Sequence, residues 1–266
     1  MTVRMTELSW TDYDRKVRDE NPVVFVTVGS HEQHGPHLPM CCDEVIPTAI
    51  AEKVAERIGA LVAPSIVFGY KSQVRSGGGN HIPGTISLDA ANLIGTIKDV
   101  ICELARHGIR RVVLMDGHYE NTMMIAEGVD LALRDLRRDG ITEIKIMRIG
   151  YYEFTSPDAE KAVWPDGFPT WALEHAGVME TSLMMHLYPE LVHADRLPSH
   201  PPADFPPYDV FPMTWENWPS LPKDGALVAS TTASAAKGKL LFDEYVQGIA
   251  KAVTAEFGLK GTAQGG

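Results

Sequence analysis

Apolar runs and helical stripes alternate between residues 20 and 150. Val23 to Val28 is short, β-branched and nearly all apolar, which predicts a buried strand. Ile46, Ile50, Val54 and Ile58 recur four apart, with Pro47 near the start and Gly59 after the end, predicting a helix over 47–57. Leu61 to Phe68 predicts a second strand, which Pro64 interrupts and so places at a sheet edge. Ser87 and Asp89 lead into the stripe Leu93, Ile97, Ile101 and Leu104, predicting a helix over 87–107 that Gly108 ends. Strands over 112–115 and 144–149 flank a helix over 121–138, with Ile125 and Leu136 inward. Strand and helix alternating at this length implies an α/β fold with a mainly parallel sheet and right-handed crossovers.

The second half is less regular. A helix over 178–188 stops at Pro189, and one over 234–257 closes the chain with Leu241, Ile249 and Val253 inward. The segment 198–222 is rich in proline and aromatics, too apolar for a disordered linker. It is expected to form an ordered arm, packed on its own domain or on a neighbouring subunit. The tail, 258–266, is expected to fray. With no internal repeat and no linker, 1–266 is expected to be one domain.

A net charge of −11 argues against a nucleic-acid partner and against an anionic membrane surface. No apolar run approaches the roughly 18 residues that span a bilayer. The start, MTVRMTELSW, has no signal-peptide core. Three cysteines, two of them adjacent (Cys41 and Cys42), do not make a disulfide framework, which points to a reducing cytoplasm.

The chemistry concentrates where two strands end. One run leads into Glu32-Gln33-His34-Gly35 and another into Gly117-His118-Tyr119-Glu120. Each offers a carboxylate and an imidazole at i and i+2, on the same side of an extended backbone. Parallel sheets bind ligands beyond the carboxyl ends of their strands, so placement and chemistry agree. With Asp43 as a bridge on a loop between the pairs, Glu32, His34, Asp43, His118 and Glu120 make a dinuclear site suited to Zn²⁺ or Mn²⁺. Either pair alone could instead cap a helix. The glycine-rich turn Ser76 to His81 is not a Walker loop; it is either a tight turn or a close backbone approach to a small ligand. In Trp171 to Glu180, His175 is a surface or core histidine or a proton shuttle, and Glu180 sits at a helix start, where a carboxylate is favoured anyway.

These residues resemble the creatininase family over nearly the whole chain. The resemblance rests on Glu32-Gln33-His34-Gly35, Gly69-Tyr70-Lys71-Ser72, Ser76-Gly77-Gly78-Gly79-Asn80-His81, Gly117-His118-Tyr119-Glu120-Asn121, Glu174-His175 with Gly177, and Pro206-Pro207-Tyr208-Asp209-Val210-Phe211-Pro212. It implies a layered α/β/α fold, a homohexamer and hydrolysis of a cyclic amide, creatinine first, by a hydroxide activated between two metals. It implies Zn²⁺ and Mn²⁺, or two Zn²⁺: one held by Glu32, Asp43 and His118, the other by His34, Asp43 and Glu120. Ser76, Tyr119, Trp171 and His175 match substrate-contacting positions, and Glu180 an acidic position of the same pocket. His175 and Glu120 are the catalytic candidates, with His175 passing a proton to the leaving nitrogen. The chain departs from the pattern twice: Tyr152, expected with Trp171 to cover the pocket, replaces a tryptophan, and Ala172 replaces an aspartate. A different lactam, a formamide or a peptide amide is the alternative substrate, and a non-catalytic metal-binding protein the further one.

Overall fold

A computed structural model describes residues 2–259. In chain order its elements are α1 (Trp10–Glu20), β1 (Val23–Val28), α2 (Cys42–Ile58), β2 (Leu61–Val62), α3 (Val74–Gly77), α4 (Ala90–Arg106), β3 (Arg111–Asp116), α5 (Thr122–Arg138), β4 (Lys145–Gly150), α6 (Pro157–Val163), α7 (Val178–Leu187) and α8 (Ala235–Phe257). The strands form one parallel sheet in the order β2-β1-β3-β4. β1 alternates between two cores. Val23 and Phe25 pack with α2, α7 and α8, while Val24, Val26 and Val28 pack with α4 and α5. Both sheet faces are thus covered, as an all-parallel sheet requires, and the fold is the layered α/β/α expected.

Three expectations need correction, and one helix, α1, lies outside them. The strand over 61–68 shrinks to Leu61–Val62 at the sheet edge, because Pro64 has no N–H to donate; the chain rejoins the sheet only at an isolated bridge between Val28 and Ile66. The helix over 47–57 begins five residues earlier, at Cys42, so Pro47 lies within it. The helix over 87–107 starts at Ala90, with Asp89 and not Ser87 at its N-cap. α1 carries too few apolar residues to announce itself, burying only Val17; its signal was the cap, Ser9 accepting from the Asp12 N–H.

The arm packs on its own chain: Ala203, Trp218 and Leu221 join Val74 of α3 and Leu227 in a third small core. Residues 260–266, most of the tail expected to fray, lie outside the described residues. No helix among the described residues is long and apolar enough to cross a membrane.

Candidate metal centre and active site

β1 and β3 are neighbours with Val28 opposite Asp116, so the motifs that follow them emerge side by side. Gly29 and Gly117 come directly after the strands. A Cβ on Gly29 would lie 2.5 Å from the Asp43 carbonyl oxygen, and one on Gly117 would overlap the same atom. Pro47 cannot donate the helical hydrogen bond that this carbonyl would otherwise accept. The first turn of α2 therefore crosses bare backbone at both strand ends and sets Asp43 between the motifs. Asp43 is on that helical turn and not on the loop expected.

Glu32, His34, Asp43 and His118 are each at most 3% exposed. His34 Nε2 lies 3.0 Å from Asp43 Oδ1 and 3.7 Å from Glu180 Oε2. His118 Nδ1 lies 3.0 Å from Glu32 Oε2 and 3.1 Å from Asp43 Oδ2. Yet both Glu32 oxygens, His34 Nε2 and Asp43 Oδ2 are buried without a hydrogen bond. The other ring nitrogens are engaged, His34 Nδ1 with the Glu32 carbonyl and His118 Nε2 with the Tyr70 carbonyl, each at 3.0 Å. A carbonyl can only accept, so those nitrogens carry hydrogens, and a divalent cation on the inward nitrogens would take the place of the proton that the carboxylates favour there. Imidazole nitrogens and unsatisfied carboxylate oxygens converging, with the opposite N–H tied to a carbonyl, is the donor set of a metal site.

The electrostatics agree. Burial pushes Glu32 up to about 7, against the pull of His118. Burial opposes ionisation of Asp43 too, but His34 and His118 hold it below the usual carboxylate range. Burial would lower both imidazoles; Asp43 for His34, and Glu120 and Glu32 for His118, outweigh it and raise them. The cluster favours positive charge at its centre, which divalent cations on the same donors supply.

Two triads share Asp43: Glu32, Asp43 and His118, and His34, Asp43 and Glu180, with ligand atoms in each within 4.8 Å of one another. Glu180, on the first turn of α7, thus stands beside His34 and Asp43, where the resemblance implied Glu120. Glu120 sits at the wall instead: its Oε1 accepts from Ser76 Oγ at 2.7 Å and from the Gln73 N–H at 3.0 Å, and its Oε2 is 3.4 Å from His118 Nε2.

A small cavity, ≈ 30 Å³, lies over the cluster, lined by Ser76, Tyr119, Glu120, Tyr152, Trp171 and His175 among others. It adjoins a wide cleft of ≈ 610 Å³, and Ser76, Tyr119, Glu120, Tyr152 and Trp171 border both. The Tyr152 and Trp171 rings, centroids 5.3 Å apart, stand between the two spaces. His175 packs on His34 with ring centroids 4.4 Å apart. Burial and then the His34 charge hold its imidazole well below the usual range, hence neutral. Ala172 and His81 are not among the cavity-lining residues; His81 packs edge-on against Trp215 of the arm.

Sequence reasoning assigned no part to the polar residues that hold this geometry, although Asn121 and Glu174 belong to the motifs. Asn121 donates to the Val28 and Gly29 carbonyls and accepts from the Tyr70 N–H. Asp116 accepts from the His118 N–H and from the Thr122 hydroxyl. Glu174 accepts from Trp164 Nε1 and the Met179 N–H. The available signal was an amide or carboxylate at the edge of each motif.

Three comparisons bear on this site. The family model for creatininase, creatinine amidohydrolase, matches residues 6–253. Creatinine amidohydrolase of Pseudomonas putida is 52% identical over 257 residues, spanning 96% of this chain and 98% of that protein. Creatininase structures at 52% identity superpose with a TM-score of 0.94 over 97% of this chain and 99% of theirs; they include a mutant of the Zn-Zn type, a mutant complexed with creatine, and an Mn form.

Proposed function

We propose, since the chain belongs to the creatininase family, that it hydrolyses creatinine to creatine in a reversible, metal-dependent reaction. The observation that carries this reading is the convergence of unsatisfied buried donors on Glu32, His34 and Asp43, beneath His175 and the Tyr152–Trp171 pair. Glu32, Asp43 and His118 would hold one divalent metal; His34, Asp43 and Glu180 would hold the other, as Zn²⁺ with Mn²⁺ or as two Zn²⁺. When bound, such a pair lowers the pKa of water and polarises a carbonyl.

The chain's own side chains do the rest. Ser76 gives its hydroxyl hydrogen to Glu120, so its oxygen lone pairs face the cavity as acceptors for the amino group of creatinine. Glu120 thereby orients Ser76 as well as lining the wall. Hydrolysis adds water across the ring C–N bond, and the departing nitrogen needs a proton. His175, neutral and lining the cavity, is the group to relay it. Tyr119 flanks the entrance, half exposed. Trp171 and Tyr152 cover the substrate and restrict water. Of the two departures from the family pattern, Tyr152 lines the cavity, while Ala172 beside Trp171 carries no carboxylate toward it.

The same reading makes the protein cytoplasmic and homohexameric. Free thiols at Cys41, Cys42 and Cys102 support the first, and exposed Tyr208 and Phe211 on the arm the second.

The test is turnover of creatinine by the purified chain loaded with Zn²⁺ or Mn²⁺, with creatine as product and loss of activity on chelation. Faster metal-dependent cleavage of another lactam or a formamide, with creatinine inert, would refute the substrate assignment.

A further inference from the structure

Gln33 stands in the sequence between Glu32 and His34, and one carboxamide makes every contact that matters. Its side chain is buried, and its two ends are told apart by their partners. Oε1 accepts from the Gly35 N–H at 2.9 Å. Nε2 donates to the Gly77 carbonyl at 3.0 Å and to the Gly225 carbonyl at 2.9 Å. The same Nε2 lies 2.9 Å from His175 Nε2. The amide nitrogen has two hydrogens for these three acceptors and does not itself accept, so His175 Nε2 shares one of them as an acceptor, which places the ring hydrogen on Nδ1.

The surrounding backbone is shaped to admit this amide. Gly78 and Gly225 have φ of +77° and +86°. A Cβ on Gly78 would lie 2.9 Å from Gln33 Nε2 and from the Gly225 oxygen, and one on Gly225 would overlap Gln33 Oε1. Part of the glycine-rich turn therefore serves a protein side chain. Its Gly77 carbonyl follows Ser76 directly, and Gly225 closes the arm. Through Gln33, the segment holding the metal ligands, the turn carrying Ser76, the end of the arm and His175 are fastened at one point.

We propose that Gln33 is a positioning residue: it sets the orientation and tautomer of His175 and locks the Ser76 turn and the arm in register with the metal-ligand motif. This rests on the role given to His175 under the proposed function.

The test uses the full, metal-loaded chain with Gln33→Met, Gln33→Glu, His175→Ala and the Gln33→Met/His175→Ala pair. Gln33→Met removes the hydrogen bonds at similar length. It should keep its metals and lower kcat on creatinine by about 30-fold or more, approaching the 10²- to 10⁴-fold of general acid–base effects, with KM changed by less than about threefold. On the His175→Ala background the same substitution should cost less than about threefold, because residues acting as a unit are not additive. Gln33→Glu has the right size but turns oxygens toward two carbonyls, so it should not rescue; it carries the same comparison should the methionine variant fail to fold. Near-native kcat in Gln33→Met, or equal losses on both backgrounds, would overturn the proposal. A crystal structure of the variant gives a readout free of any substrate: the His175 ring should rotate or split and residues 76–79 should shift. A ring unmoved in one orientation overturns the proposal even if creatinine proves not to be the substrate.

Discussion

The carbonyl oxygen of Asp43 fills the space into which a side chain at Gly29 would grow, 2.5 Å from where its Cβ would stand. Backbone on backbone at that distance cannot yield without moving the start of α2. Gly29→Ala should therefore destabilise the fold by about 1–3 kcal/mol, the usual cost of overpacking, and should also displace the shared Asp43 carboxylate. Thermal unfolding and elemental analysis check both. A variant with unchanged Tm and full metal content would show that the contact is slack.

Asp43 belongs to both triads. Asp43→Ala should lose both metals, while Glu32→Ala should weaken mainly the one held with His118. Chelation of the native protein should lower Tm, and Zn²⁺ or Mn²⁺ should restore it, since a ligand bound to the folded state adds its binding free energy to stability. Two metals retained per chain in Asp43→Ala would reject the bridging assignment.

His175 lies against His34, but its assigned work is proton transfer. His175→Ala should keep its metals and its Tm within a few degrees while kcat falls about 10²- to 10⁴-fold. Turnover close to native would return the residue to a packing role.

Glu174 gives a pH signature that does not involve substrate. Burial raises its carboxyl from 4.5 to about 8, even though the Met179 N–H and Trp164 Nε1 both donate to it. The folded state thus holds a proton that the unfolded chain releases. Between about pH 4.5 and 8 the native form binds more protons, so this group's contribution to stability is present at the acid end and is lost as pH rises. Glu174→Gln, uncharged at every pH, should flatten the fall of Tm between pH 5 and 8. An identical pH slope in the variant would place the proton elsewhere.

Much of the scaffold was legible because its signals are local. Val23–Val28 and Val112–Met115 are short, nearly all apolar runs of strand length, and the stripe Leu93, Ile97, Ile101 and Leu104 repeats at helical spacing. Periodicity marked these elements, and the composition of the motifs at the strand ends marked the chemistry. Where a local rule met a competing one, boundaries slipped. Pro47 suggested a helix start, but the turn before it already packs on Gly29 and Gly117, and that contact extends the helix back to Cys42.

The sequence by itself determined a parallel α/β scaffold, the strand ends that carry the site, and the residue types able to bind metal there. The tertiary structure decided which carboxylate joins His34 and Asp43, placing Glu180 there and leaving Glu120 on Ser76. It also decided that Gln33 reaches His175 across 142 positions and Gly225 across 192. Periodicity reports only the face a residue turns toward its own element's neighbours. Which distant groups meet is settled by strand register and helix packing, and one residue of slippage in β1 against β3 would redirect every ligand.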